Sequence, residues 1–270
     1  MNKFIKARFK DRPNRFIAIV EIEESKIMEN GIEEKIKKEE IAHVPNTGRS
    51  KELLTSNSTV YLLPNDNPKR KTKYTLYFVE NRGHLVSMYS SQANEIVFEA
   101  IKNGKIKELT GYDEIKKEKT VGKSRIDIYL KKNINKNNKE ENNKENNNKK
   151  ENNKENKSIE DCYIEVKGVT LVEHTTAIFP DAPTQRGKKH LEELIKLKEN
   201  GHRAIVFFLI QHPLGNNFKP NWKTDPEFSK TLEKAYIKGV EILVYKTMNS
   251  LEKIEIMENN LKFELNNEKK

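Results

Sequence analysis

Three side chains in two short segments have the types and spacing to hold a divalent cation and hydrolyse a phosphodiester. They are Asp127 in Ser124–Leu130 (SRIDIYL), and Glu165 and Lys167 in Cys162–Gly168 (CYIEVKG). With a strand's two-residue period, Ile126, Ile128 and Leu130 share one face, and Arg125, Asp127 and Tyr129 the other. In the second segment Ile164 and Val166 point one way, Glu165 and Lys167 the other. If the strands pair, Asp127, Glu165 and Lys167 meet on one side of the sheet. Gathering two carboxylates and an amine there costs desolvation energy, a cost seldom carried unless the groups bind a cation or do chemistry.

Mg²⁺ takes oxygen ligands, keeps several waters and needs only one or two carboxylates, here Asp127 and Glu165, with the Val166 carbonyl as a further oxygen. Such an ion polarises the phosphate and acidifies an attacking water. Lys167 would orient that water or neutralise charge building on the phosphate. A bare Glu-x-Lys is common, and the blander reading is an Asp127–Lys167 ion pair on a solvated face with Glu165 in water. The aspartate on an adjacent apolar strand favours the site. Glu99, on a predicted helix, is a further candidate metal ligand, set against an exposed helix glutamate. His43, His174, His190 and His212 lack zinc-site spacing and receive no ligand role.

The segments that must carry these groups follow from periodicity. Phe16–Ile22, Val60–Leu63 and Thr72–Val79 read as strands within the first ~85 residues, a pattern that fits a small β-barrel. Ile41–Ser50 ends in a Pro, Asn and Gly cluster that signals a loop leading to a short segment with Leu53 and Leu54. The spacing predicts helices over Asn94–Ile101, Thr184–Asn200 and Asp225–Lys238, stopped by Gly104, Gly201 and Gly239. Ala204–Ile210 (AIVFFLI) reads as a strand covered on both faces, and Val240–Tyr245 as another. This order is a mixed α/β domain. The expected division is a barrel over 1–85, an α/β domain over 86–250 and a C-terminal tail over 251–270.

At 270 residues two domains fit, each with its own core. Hydrophobic and charged residues each make up 34%, which implies that part of the chain never packs. Residues 131–157 are all Asn, Lys or Glu apart from Ile134, and read as a disordered insertion at the tip of a hairpin between the two charged strands. The tract holds nine Lys and five Glu; taking its net +4 from the chain's +10 leaves +6, so the basic excess lies elsewhere too and suits a polyanionic partner. The single Cys162 excludes an internal disulfide and reads as a small core residue. No signal peptide or membrane span is legible, so the expectation is a cytoplasmic protein without a membrane partner.

Two basic surfaces suit nucleic acid. Lys69, Arg70, Lys71 and Lys73 precede Tyr74 and Tyr77, the cation and aromatic mixture that binds single strands on such barrels, with a solvated charge run beside core tyrosines as the alternative. Arg186, Lys188, Lys189 and His190 open a helix whose N-terminus also favours phosphate. Asn46, Thr47 and Arg49 form a polar loop able to grip a phosphate, although turn formation explains Asn46 equally well. Gln211 ends the buried strand, as a cap or near the cation.

The strings HVPNTGR (43–49), RKTKYTL (70–76), SRIDIYL (124–130), YIEVKGVTL (163–171), FPDAPTQRGKKHLEEL (179–194) and GVEILVY (239–245), taken together, resemble the sugar fermentation stimulation protein A family. The resemblance spans nearly the whole chain except the Asn/Lys/Glu tract and the last ~20 residues. It implies an N-terminal OB-like β-barrel followed by a restriction-endonuclease-like α/β domain of the PD-(D/E)XK type. Asp127 would be the motif aspartate, and Glu165 and Lys167 the (D/E)XK pair. It also implies DNA binding, a nuclease activity inferred from the fold, and regulation of sugar utilisation. Gly168 departs from the small polar residue, such as Ser, that many relatives would carry there.

The leading expectation is a DNA-binding protein with a Mg²⁺- or Mn²⁺-dependent phosphodiesterase centre. The alternative is a non-catalytic DNA-binding regulator on a nuclease-like fold. No base-reading element is legible, so strong sequence specificity is not expected. The oligomeric state stays open, a homodimer included.

Overall fold

The computed structural model describes residues 3–27, 33–46, 48–122, 124–132, 161–257 and 259–266. The first five strands are β1 (Ile5–Asn14), β2 (Ile17–Ile27), β3 (Glu33–His43), β4 (Thr59–Pro64) and β5 (Tyr74–Asn81). β1 pairs antiparallel with β2 and β4, β2 with β3, and β4 with β5. A short parallel pairing, Ala42 opposite Tyr74 and His43 opposite Thr75, joins β3 to β5 and closes the ring. Closure pairs the edges only at this end; residues 33–41 of β3 pair with β2 alone. Alternation supplies the core: Ala18, Val20 and Ile22 of β2 point inward onto Val60, Leu62 and Leu76. β6 (His84–Ser87) returns along β5 through Arg82 and Gly83, both at positive φ (50° and 75°) as a tight hairpin turn requires.

β3 is a strand that no residue pattern predicts, and the loop expected at the Pro, Asn and Gly cluster follows it, with no helix or strand among the described residues from 44 to 50. Its sequence EEKIKKEEIAH is exposed along most of its length and buries only Ala42, so no apolar alternation marks it. Pairing with β2 along its whole length holds it, helped by Lys37 against Glu21 at 3.1 Å.

The second unit contains α1 (Gln92–Lys102), β7 (Glu114–Val121), β8 (Ser124–Lys131), β9 (Cys162–Val169), β10 (Val172–Glu173), β11 (Thr176–Phe179), α2 (Gln185–Glu199), β12 (Arg203–Ile210), β13 (Asn217–Pro220), α3 (Pro226–Ile237), β14 (Glu241–Asn249), β15 (Ile254–Ile256) and β16 (Lys262–Phe263). The main sheet has the order β15-β14-β12-β9-β8-β7, with β14, β12 and β9 parallel at its centre and the other three antiparallel to their neighbours. β12 is buried on both faces, as its unbroken apolar run predicts. α1 covers one face, packing Val97 and Ile101 with Ile128, Ile164 and Phe207. α2 and α3 cover the other, packing Leu191, Leu194 and Leu232 with Val206 and Phe208.

Both of these helices start on a side-chain cap. Thr184 accepts from the Gly187 N–H at 3.0 Å, and Asp225 from the Phe228 N–H at 2.9 Å. The second Asp225 oxygen accepts from the Thr184 N–H at 2.8 Å, so one carboxylate ties the two helix starts together.

Two expectations are corrected. Ile126 does not share a face with Ile128 and Leu130; it packs with Tyr129 on the α2/α3 side, while the other two lie under α1. Alternation breaks at Asp127 because β8 stops pairing with β9 at Ile128 opposite Ile164, and Glu118, which faces Asp127 in the register of β7, has a left-handed backbone at φ 56°. The segment 251–270 is also more than a tail. β15 pairs with β14, β16 joins a small sheet of order β10-β11-β13-β16, and Leu265 is buried with its carbonyl accepting from the Trp222 indole at 3.0 Å. Strands of three and two residues are too short to show a period. The Asn/Lys/Glu tract lies outside the described residues from 133 onward.

Candidate active site

The site forms where β8 and β9 part. Continued pairing would set Asp127 opposite Glu165, but the ladder has ended one residue earlier and the Asp127 carboxylate occupies the opening. One oxygen accepts from the Val166 N–H at 2.8 Å and the other from the Asn94 amide of α1 at 2.7 Å. Burial, reinforced by the negative charge of Glu165, pushes the Asp127 carboxyl up to about 6.

Glu165 faces the opposite helix layer and is only 1% exposed, so the three groups do not share one side of the sheet as expected; Asp127 stands on the α1 side and feels the Glu165 charge across the parted strands. Its Oε1 accepts from Lys167 Nζ at 2.6 Å and from His190 Nδ1 of α2. Its Oε2 is buried without a hydrogen-bond partner. Burial pushes this carboxyl up, but the His190 hydrogen bond and the Lys167 charge outweigh it and hold the group below its ordinary value. Arg186 Nε donates to His190 Nε2 at 3.3 Å, so the hydrogen bonds assign the imidazole proton to Nδ1, facing Glu165. The ion pair is therefore Lys167–Glu165 in a buried setting, not Asp127–Lys167 on a solvated face.

The donor chemistry suits a hard divalent ion. Each Asp127 oxygen accepts one neutral donor and keeps a lone pair, and Glu165 Oε2 has no other partner. Among the described residues no group of three or more His, Cys, Asp or Glu side chains is placed to hold a metal ion, and the oxygens open to one here are those of Asp127 and Glu165. Glu99 is not brought to this place. Five residues beyond Asn94, it lies about 140° further round α1, half-exposed, with Lys102 at 4.0 Å.

Gly168 and Gln211 pack together beside the site. A Cβ on Gly168 would lie 2.5 Å from Gln211 Oε1 and 3.4 Å from Ala93 Cβ, and Gln211 is fully buried. This crowding accounts for glycine where a serine was expected. Gly168→Ala is expected to lose about 1–3 kcal/mol in denaturant unfolding; an unchanged midpoint would show that Gln211 yields freely.

The candidate contacts to nucleic acid divide. Lys69, Arg70, Lys71 and Lys73 are exposed in the loop between β4 and β5. Tyr74 is half-buried against the barrel core, its hydroxyl pushed up by burial and by Glu40 and Glu24. Tyr77 is buried and donates to Gln92 of α1 at 2.6 Å, which removes it from any stacking surface. Arg186 is exposed above His190, whereas Lys188 faces Glu227 at 3.2 Å and Lys189 faces Glu193 at 3.9 Å. Arg49 is exposed in a loop pinned by Arg12, which donates to the Arg49 and Asn46 carbonyls at 2.6 and 2.7 Å; Asn46 in turn accepts from the Gly48 N–H at 2.8 Å. Thr47 lies outside the described residues.

A cleft of about 470 Å³ runs from Lys167 and Gly168 to the barrel, where Arg15, Asn46 and Gly48 form its far wall. Arg15 was given no role from sequence, and His190 only that of a phosphate contact at the start of α2. For His190 the signal was present: it sits in the buried stripe Gly187, His190, Leu191 and Leu194, a polar group among apolar neighbours.

A closed OB barrel joined to a nuclease-like α/β domain defines the class of protein. Residues 11–88 match the SfsA N-terminal OB domain, and residues 91–253 match the sugar fermentation stimulation protein RE domain. The chain belongs to the sugar fermentation stimulation protein family. It is 54% identical to the sugar fermentation stimulation protein homolog of Methanobrevibacter smithii over 97% of this chain and 98% of that one. The homolog of Caldanaerobacter subterraneus subsp. tengcongensis is 42% identical over 90% of each. Pyrococcus furiosus SfsA, whose structure was solved in complex with Ca²⁺, superposes with a TM-score of 0.76 at 27% identity over 98% of each chain. Among the described residues no helix is long and apolar enough to cross a membrane.

Proposed function

We propose that this chain is a divalent-metal-dependent nuclease acting on DNA without strong sequence preference, using Mg²⁺ or Mn²⁺. The observation that carries the reading is the buried Glu165 carboxylate, gripped on one oxygen by Lys167 and His190 and left unpartnered on the other, beside a second buried carboxylate at Asp127. Two buried acids cost stability that a hydrophobic pair would not. The Pyrococcus furiosus relative, solved in complex with Ca²⁺, supports a hard divalent ion in this family.

When bound, the ion would polarise the phosphate and lower the pKa of an attacking water. Asp127 and Glu165 would hold it, Asp127 only once deprotonated. Lys167, whose ammonium lies 2.6 Å from Glu165 Oε1, would hold the water or neutralise charge on the phosphate oxygens. His190 keeps Glu165 oriented, and Asn94 does the same for Asp127.

The test is cleavage of linear, supercoiled and single-stranded DNA with Mg²⁺, Mn²⁺ or EDTA, run beside Asp127→Ala and Lys167→Ala. The expected result is metal-requiring cleavage that falls at least about 100-fold in either variant. Binding without cleavage under any metal would leave the non-catalytic regulator.

A further inference from the structure

The cleft beside Lys167 has a feature the proposed chemistry does not use. Its barrel wall carries Arg15, in the turn between β1 and β2, whose guanidinium sits 4.7 Å over the ring of Phe16. Phe16 is a large apolar side chain left 43% exposed. The same end of the barrel holds the basic loop: His43 at the end of β3 lies opposite Ile17, and its imidazole is lowered by burial and by the charge of Arg70. Lys69, Lys71, Lys73 and Arg15 have no ion-pair partner among the described residues. Elsewhere Lys10, Lys37, Lys117 and Lys188 each face a carboxylate. Arg15 thus ties an exposed aromatic to the cleft wall, and the unneutralised cations of the loop lie at the same end of the barrel, where Arg70 reaches Thr75 Oγ1 at 3.4 Å.

The cleft's volume, about 470 Å³, is that of a small-ligand site, with room for an unpaired nucleotide and not for a paired helix. The back is closed where the loop at Gly48 approaches Asp181, with the Ser50 N–H 3.4 Å from that carboxylate. Base stacking on an aromatic with cations along the backbone is how single strands are held without regard to sequence.

We infer that this cleft receives a single-stranded nucleic-acid end, with Phe16 and Arg15 stacking a base and the loop at Lys69–Lys73 tracking the incoming backbone toward Lys167. The inference rests on the proposed nuclease reading only in taking Lys167 as the destination. Its test is therefore made without cleavage: the full chain in EDTA, with a fluorescein-labelled oligodeoxynucleotide, the ribonucleotide of the same sequence and the blunt duplex, read by anisotropy. Either single strand is expected to bind at least about tenfold tighter than the duplex, Phe16→Ala to lose about tenfold on the single strand, and Phe16→Trp to recover it. Replacing Lys69, Lys71 and Lys73 by Ala should reduce the salt slope by about 2, at ~0.7 per phosphate contact. A duplex bound as tightly as the strands, or Phe16→Ala indistinguishable from wild type, overturns the inference. Failure of cleavage with every metal leaves these affinities untouched, and a nuclease that binds duplex equally well loses this inference alone.

Discussion

At pH 8 the Asp127→Asn protein is expected to melt above the wild type while its metal-dependent cleavage is lost. The carboxyl is buried and its value rises from the ordinary 3.8 to about 6. Between those values the folded state holds the proton more often than the unfolded state, so the favourable contribution is complete below about pH 4, is lost as pH rises through about 6, and stays lost above it. A shift of this size is on the order of 2–3 kcal/mol. Asparagine removes the buried charge and keeps the neutral contacts: its carbonyl oxygen can accept from the Val166 N–H, and Asn94 can turn its amide to accept from the new NH₂ group. Melting curves at pH 4 and pH 8 should show a gap of about 5 °C or more at pH 8 that shrinks in acid. Mn²⁺ should then raise the melting temperature of the wild type and leave the variant unmoved. A variant less stable than wild type at pH 8 would mean that the Asp127 charge is better compensated than its burial implies.

His190→Ala should weaken Mn²⁺ binding 10–100-fold, read by titration calorimetry in the absence of nucleic acid. The imidazole is the largest of the influences that lower the Glu165 carboxyl against burial. Without it, Lys167 alone opposes desolvation, the carboxyl rises, and the pH at which metal binds rises with it. His190→Asn, whose amide can stand near the Nδ1 position, should recover part of the affinity. A variant that binds Mn²⁺ as wild type does, with an unmoved pH profile, would reduce His190 to a packing residue.

What the residue pattern could reveal followed burial. β12 was legible because it is covered on both faces and reads AIVFFLI without interruption. α2 and α3 were legible because Thr184 and Asp225 cap them and apolar residues recur on one side. The burial of Asp127 and Glu165 was not legible in their charge, and which side of the sheet each faces depends on where β8 and β9 part. β3 and β7 were not legible either: EIKKEKTV buries no side chain, and its strand identity comes from pairing with β8 alone. Glu99 and Asn94 could not be told apart without knowing how α1 turns over β8 and β9. Tyr77 stood open between a stacking platform and a core tyrosine because nothing local shows that Gln92 of the next unit caps its hydroxyl. His190 was read as a phosphate contact at the helix start and not as a partner of Glu165, because that contact depends on α2 docking over β9.

The single carboxylate at Asp225 turns α2 and α3 into one mechanical part. The shared anchor fixes the pitch at which α2 presents His190, so a residue some distance from the chemistry governs the aim of Glu165. Grafting a foreign third helix onto this scaffold would keep a working centre only if an acidic side chain stood at its threshold.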